Sequence, residues 1–319
     1  MNIVFLDAST LHHGDLDLSP LEELGSLTCH ATTDPAQTLE RCRTAEIIIT
    51  NKVVISRALL DACPDLRLIV VAATGTNCVD LDAARERGLP ICNVSGYSTA
   101  SVAQHAIGML INLASNIHRF DRDVRKAWPE SPIFTRLDYP VVELAGKVLG
   151  IVGYGAIGQA VGRVATALDM EIVALARPGQ ASTSGGPIPR LTTGEFFRHA
   201  DAVTLHCPLT PQTQQFINGE ILTLMKQSAF LINTGRGALI DEPALAEALR
   251  CGDIAGAALD VLSTEPPAAS NPLLAEDIPN LLITPHNAWT SLEARHRLLA
   301  GIRSNILAFL SGHPSNRVT

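Results

Sequence analysis

The chain has 319 residues, 46% hydrophobic and 18% charged, which is enough for two hydrophobic cores and about two domains. Its formal charge of −8 argues against nucleic acid or an anionic membrane as a partner, since both favour a basic face; an anionic substrate must be met by local cations. No apolar run is long enough for a membrane span, and Met1-Asn2-Ile3-Val4-Phe5-Leu6-Asp7 lacks the basic segment of a signal peptide. The seven cysteines, with no C-x-x-C pair, read as reduced thiols; a cytoplasmic protein without a metal site is expected.

Short apolar runs alternate with helical patterns from the start. Strands are expected at Ile3–Leu6, Glu46–Thr50, Leu68–Ala72 and Pro90–Asn93, and helices at Pro20–Gly25, Pro35–Cys42, Ser56–Cys63 and Asp80–Arg87. That order implies a small parallel α/β sheet. A long helix from Ser98 to about Phe120 follows, with Val102, Ala106, Met109, Leu110 and Leu113 on its apolar face. The stretch from Arg122 to Leu144 has little periodicity and carries Trp128, Pro129, Pro132 and Pro140; excursions of this kind often reach another subunit. From Lys147 the alternation resumes, with strands at Glu171–Ala176, Ala202–Cys207, Ala229–Asn233, Ala255–Asp260 and Leu281–Thr284. Helices are expected at Thr193–His199, Asn218–Met225 and Glu242–Arg250, a Gly/Ser/Pro loop at 178–189, and a last helix at Ser291–Leu310. The fold class is α/β, with two Rossmann-like parallel-sheet domains. A discontinuous substrate domain (1–98 and 287–319) surrounds an inserted dinucleotide-binding domain (99–286).

The run Val148-Leu149-Gly150-Ile151-Val152 feeds directly into Gly153-Tyr154-Gly155-Ala156-Ile157-Gly158 and then into a helical pattern. G-x-G-x-x-G between strand and helix is the dinucleotide fingerprint: Gly153 for the tight turn, Gly155 for backbone approach to a pyrophosphate, Gly158 for close helix packing. The first-turn amides, including those of Ala156 and Ile157, would face the phosphates.

Three polar residues sit in turns after later strands of the same half: Arg236 in Asn233-Thr234-Gly235-Arg236-Gly237, Glu265 in Ser263-Thr264-Glu265-Pro266, and His286 in Thr284-Pro285-His286-Asn287. Ligands of open parallel sheets bind at the carboxyl ends of strands, so all three belong to the functional edge. An Arg holds a carboxylate in a bidentate fork, a His exchanges a proton with a carbonyl or hydroxyl, and a Glu bonded to that His favours the cation.

Together with His206-Cys207-Pro208-Leu209-Thr210 and Leu259-Asp260-Val261, these motifs make the chain resemble the D-isomer-specific 2-hydroxyacid dehydrogenase family over nearly its whole length. Asn93-Val94-Ser95-Gly96-Tyr97-Ser98-Thr99, Ser101-Val102-Ala103-Gln104-His105 and Ala73-Thr74-Gly75-Thr76-Asn77 most resemble its glycerate dehydrogenases, also called hydroxypyruvate reductases. The resemblance implies His286 as general acid, Glu265 as its partner and Arg236 as the group that holds and polarises a 2-oxo acid. Backbone amides of Ala73, Thr74 and Gly75 would take the substrate carboxylate, and Tyr97 would help select the substrate. Lys52 either adds a cation to the substrate mouth or is a solvated loop lysine. Cys207, Pro208, Thr213, Thr234 and Gly235 would line the cofactor groove, with Asp260 near the nicotinamide; a homodimer is implied as well.

One departure bears on the cofactor. NAD-specific members carry an acid at the end of the second strand of this domain, where the chain has Ala176-Arg177-Pro178. Arg177 would accept a 2′-phosphate, so that NAD(P)H is expected with a lean to NADPH; the alternative is stacking on adenine with NAD still bound. The substrate expected is a short 2-oxo acid, hydroxypyruvate or glyoxylate. Alternatives are 2-ketogluconate, a pyruvate analogue or phosphite, and a dinucleotide-sensing binding protein without turnover on the same fold.

Overall fold

The computed structural model describes residues 1–184, 186 and 188–319, so Gly185 and Pro187 of the loop read at 178–189 lie outside the described residues. The chain divides into two compact units, 1–98 with 290–319, and 99–289.

In the first unit β1 (Asn2–Phe5), β2 (Ser26–Cys29), β3 (Ile47–Thr50), β4 (Leu68–Val71) and β5 (Ile91–Asn93) form a parallel sheet in the order β2-β1-β3-β4-β5. Ile47, Ile48 and Ile49 are all fully buried, as a strand covered on both faces requires, which is why it reads as an unbroken apolar run. The helices between strands are α1 (Ser19–Glu22), α2 (Pro35–Cys42), α3 (Arg57–Ala62) and α4 (Leu81–Glu86). Asp34 and Gln37 form a capping box at the start of α2, and the Asp80 carboxylate accepts from the Ala83 amide at the start of α4.

The second unit opens with α5 (Thr99–Ser115) and α6 (Ile117–Ala127). The single helix expected to Phe120 is broken at Asn116, whose φ of 51° and ψ of 32° lie in the left-handed region that Asn tolerates. The Asn116 amide donates to the Pro140 carbonyl at 2.7 Å, stitching the break to the excursion that follows. α6 then occupies the start of the stretch expected to be aperiodic; Ile117, Phe120, Val124 and Ala127 lie along one side of it at helical spacing, though none is buried. β6 (Val148–Val152), α7 (Ala156–Thr166), β7 (Glu171–Leu175), β8 (Arg190–Leu191), α8 (Thr193–His199), β9 (Ala202–Leu205), α9 (Gly219–Leu224), β10 (Phe230–Asn233), α10 (Glu242–Cys251), β11 (Gly256–Leu259) and β12 (Leu281–Ile283) complete the unit. The parallel sheet runs β12-β11-β10-β9-β6-β7-β8. On one face Phe196, Phe197, Leu222, Leu245 and Leu249 of α8–α10 form the core; on the other, Ala106, Leu110 and Leu113 of α5 pack with Ala160, Val161 and Ala165 of α7. The chain order reverses between β6 and β9, which puts the ligand crevice of a doubly wound sheet at their carboxyl ends.

α11 (Leu292–Leu310) belongs to the first unit, where Gly301 lies so close to β5 that a Cβ would stand 2.4 Å from Val94 Cγ1. Asn305 of this helix is fully buried, donating to the Asn93 carbonyl at 2.8 Å and accepting from Asn316 at 2.8 Å. No helix among the described residues is long and apolar enough to cross a membrane, and all seven cysteines are free.

Candidate active site

The three fingerprint glycines do three different things. Gly153 has φ 94°, and a Cβ there would meet the Cys207 amide nitrogen at 2.6 Å, so the turn after β6 lies directly on the chain leaving β9. At Gly158 a Cβ would stand 2.4 Å from the Gly153 carbonyl, so helix and turn touch through backbone. Gly155, by contrast, has nothing within 4 Å of its missing Cβ. It starts α7 with no side-chain cap, and it and Ala156 are exposed, so the first amides of an eleven-residue helix stay open to an anion. Ile157 follows, half-buried.

A second sign of a bound group comes from the turn after β10. Among the described residues, Thr234 Oγ1 is a buried side-chain oxygen without a hydrogen-bond partner. The open helix start, the clear space at Gly155 and this hydroxyl, all at the carboxyl edge of the sheet, fit a dinucleotide. Cys207 is half-buried and Pro208 exposed beside the glycine turn. Thr213 closes the turn there instead of standing clear: its hydroxyl donates to the Pro208 carbonyl at 2.8 Å and accepts from the Thr210 amide at 2.7 Å. Arg177 is exposed two residues past β7, the strand that pairs with β6, which leads into the glycine turn.

His206, in the same turn as Cys207, bonds the Thr204 hydroxyl through Nε2 at 2.9 Å, and desolvation pushes its pKa down to about 4. The unfolded chain takes up this proton below about pH 6.5 and the folded chain does not until about pH 4, so stability falls as pH falls across that window. The His206 contribution to that loss is at most about 3 kcal/mol. In parallel melts at pH 7.5 and 4.5, His206→Gln should lose less stability than the parent chain; equal losses would contradict this.

Arg236, Glu265 and His286 come from the ends of three adjacent strands, β10, β11 and β12. His286 Nδ1 lies 2.6 Å from Glu265 Oε2, and the other Glu265 oxygen accepts from the Leu262 amide at 3.1 Å. An ionised carboxylate only accepts, so Nδ1 carries a proton and Nε2 is the nitrogen left for exchange. The Arg236 turn is built by Asn233, fully buried, whose amide donates to the Arg236 carbonyl at 2.9 Å while its oxygen accepts from the Gly235 amide at 2.9 Å. Arg236 Nη1 donates to the Gly235 carbonyl at 2.8 Å, and a Cβ on Gly237 would stand 1.9 Å from the Leu262 carbonyl carbon. The turn bearing the arginine is thus pressed against the chain leading to Glu265.

Asp260, 1% exposed, holds the histidine loop. Its Oδ1 accepts from Thr284 Oγ1 at 2.5 Å and the Asn287 amide at 2.9 Å, and its Oδ2 from the Ala288 amide at 2.9 Å. The clamp by Asp260 and the supporting roles of Asn233 and Gly237 are not legible in the motifs that contain them. A polar residue ending a buried strand was the available signal in Asn233 and Asp260.

The residues expected to meet substrate from the first half lie in the first unit. Ala73, Thr74 and Gly75 follow β4; the Ala73 and Thr74 carbonyls accept from Val94 and Asn93, while among the described residues the amides of Thr74, Gly75 and Thr76 take no hydrogen-bond acceptor. Lys52 is exposed on a turn held by Asp7, whose buried carboxylate accepts from the amides of Asn51 and Lys52 at 2.9 and 2.7 Å. Tyr97 is 7% exposed, its carbonyl accepting from Arg297 at 2.7 Å.

Residues 107–288 match the family model described as D-isomer specific 2-hydroxyacid dehydrogenase, NAD binding domain. A hydroxypyruvate reductase of Blautia hydrogenotrophica is 39% identical, over 100% of this chain and 99% of the relative. A glycerate dehydrogenase of Methylorubrum extorquens is 39% identical, over 99% and 98%. An acyclic imino acid reductase solved with NADPH and D-Arg superposes over all of both chains with a TM-score of 0.87 at 27% identity. With the fingerprint, the open helix start and the strand-end trio in one unit, this chain belongs to the D-isomer-specific 2-hydroxyacid dehydrogenase family and is an oxidoreductase that uses a nicotinamide dinucleotide.

Proposed function

We propose that the enzyme reduces hydroxypyruvate or glyoxylate to the D-2-hydroxy acid, with His286 as the acid. The observation that carries this reading is the 2.6 Å bond from His286 Nδ1 to Glu265, which leaves Nε2 as the ring nitrogen for proton exchange at the ends of β11 and β12. When bound, the reduced nicotinamide supplies the hydride. His286 protonates the developing alkoxide through Nε2, Glu265 holds the ring in register, and the free edge of the Arg236 guanidinium binds and polarises the 2-oxo acid. The unspent amides at 74–76 support a role in carboxylate binding for Ala73, Thr74 and Gly75. Lys52 adds a cation for the same anion, and Tyr97 helps to select it. Gly153, Gly155, Ala156, Ile157 and Gly158 hold the pyrophosphate, and Thr234, Gly235, Cys207, Pro208, Thr213 and Asp260 shape the rest of the groove. The names of the two 39%-identical relatives support the substrate class. Initial rates on a panel of hydroxypyruvate, glyoxylate, 2-ketogluconate and phosphite test it: the first two should exceed the others in kcat/KM by at least about 10-fold, a difference of about 1.4 kcal/mol.

NADPH is accepted in this reading because Arg177 stands where an acid would repel a 2′-phosphate. The NADPH complex of the 27%-identical reductase supports it at the level of the fold. Arg177→Asp should shift the ratio of NADPH to NADH kcat/KM toward NADH by about 10-fold or more, the value of one charge-assisted bond. An unchanged ratio would leave Arg177 as an adenine-stacking residue.

A homodimer is part of the same proposal, supported by the apolar surface of the 117–142 excursion, where Phe134 is 90% and Leu137 82% exposed. Sedimentation should give a dimer for the parent chain and a monomer for the Phe134→Asp, Leu137→Asp double variant; a monomeric parent chain would refute it. The seven free thiols suit a reducing compartment, and we assign the enzyme to the cytoplasm.

A further inference from the structure

His286 does not hold its own position. Its φ of 53° is a left-handed conformation that costs a non-glycine residue energy, so the surrounding bonds must impose it. The Asp260 carboxylate gathers Thr284, Asn287 and Ala288 on either side of His286, and the His286 amide itself donates to the Asp260 carbonyl at 2.7 Å. α5 reaches the same loop twice. Ser101 Oγ donates to the Ala288 carbonyl at 2.6 Å, and one helical turn on, His105 Nε2 lies 3.0 Å from Thr284 Oγ1 and 3.5 Å from Asp260 Oδ1.

Counting protons fixes the direction of this chain of bonds. A threonine hydroxyl has one hydrogen, and Thr284 spends it on the Asp260 carboxylate. Thr284 Oγ1 therefore faces His105 as an acceptor, and Nε2 of His105 must be the donor. From α5 to the loop, each group donates to the next: His105 to Thr284, Thr284 to Asp260. Such an oriented chain is worth more than its separate bonds because each member polarises its neighbour.

We propose that His105 is a positioning residue for the reduction: its Nε2–H, acting through Thr284 and Asp260, holds the loop in which His286 presents its acid nitrogen. The inference rests on the reading of His286 as the acid. His105 touches neither substrate nor cofactor in this account, and its loss misplaces the acid without removing it. Misplacement by a fraction of an ångström is enough to lower kcat by about 10-fold.

The test is a set of variants assayed with hydroxypyruvate and NADPH, with NADPH dissociation constants and melting temperatures measured alongside. His105→Leu should lower kcat by about 10-fold and leave the NADPH dissociation constant within about 2-fold of the parent value, since the glycine turn is untouched. His105→Gln, whose amide nitrogen falls near the place of Nε2, should restore most of that loss; His105→Asn, whose shorter side chain mimics Nδ1, should not. Thr284→Val, which removes the middle link without removing the histidine, should match His105→Leu, and the double variant should be no worse than either single one. An unchanged kcat in His105→Leu, equal behaviour of Gln and Asn, or additive losses in the double variant would each overturn the proposal. A parent enzyme with no turnover, or a fully active His286→Gln variant, would instead overturn the underlying assignment and the proposal with it.

Discussion

Replacing His286 with glutamine is expected to lower kcat for hydroxypyruvate reduction by about 10² to 10⁴-fold, the usual worth of a positioned general acid. Dinucleotide binding should be nearly unchanged, because the glycine turn and the uncapped start of α7 lie at the ends of other strands. Glutamine keeps a hydrogen-bonding group beside Glu265 but has no nitrogen that can give up a proton at neutral pH. Stopped-flow reduction with saturating NADPH separates the two effects: the chemical step should slow while cofactor affinity, read from nicotinamide fluorescence, stays. A variant that loses cofactor binding and keeps its chemical rate would reverse the assignment. Glu265→Gln should give a smaller loss in the same step, since the acid remains while the acceptor that orients its ring becomes an amide able to donate.

The second large effect is expected at Arg236. Its side chain is braced on one edge by the Gly235 carbonyl at 2.8 Å, which leaves the other edge of the planar fork for an anion. Arg236→Lys retains the charge and loses the fork, so kcat/KM for the 2-oxo acid should fall by about 10² to 10³-fold, mostly through a raised KM. Melting temperature should scarcely change, because the turn is built by Asn233 rather than by the arginine side chain. Steady-state kinetics at fixed saturating NADPH measures this directly, and a lysine variant with the parent KM would show that the fork does not hold the substrate.

Much of this arrangement is legible in the amino-acid sequence. Buried parallel strands such as Ile47–Thr50 and Leu68–Val71 are continuous apolar runs with short connections, and their limits were read to within a residue or so. The fingerprint and the trio were visible because each sits at a strand end, where an open parallel sheet gathers its chemistry. What escaped reading escaped for identifiable reasons. β2 is an edge strand, mostly exposed, and lacks an apolar run; β8 is only two residues long. Both are ordered by the neighbour they pair with, a long-range cause that no local window contains. The break at Asn116 is hidden because Ile117, Phe120 and Val124 of α6 continue the helical spacing of Leu110 and Leu113 across it, as one unbroken helix would. In the site, the supporting residues were harder to read than the acting ones. Asp260, expected near the nicotinamide, also holds the backbone of the His286 loop through its carboxylate, and the contact of Gly237 with Leu262 gives the reason for a glycine in its motif.

The most direct test of the account is to mix the purified enzyme with hydroxypyruvate and NADPH and identify the product by chiral chromatography. One D-glycerate formed for each NADPH oxidised, in the parent enzyme and not in His286→Gln, is the result predicted. Absence of D-glycerate, or formation of it at the same rate without His286, would contradict the assignment of His286, at the end of β12, as the acid that protonates a short 2-oxo acid while NADPH reduces it.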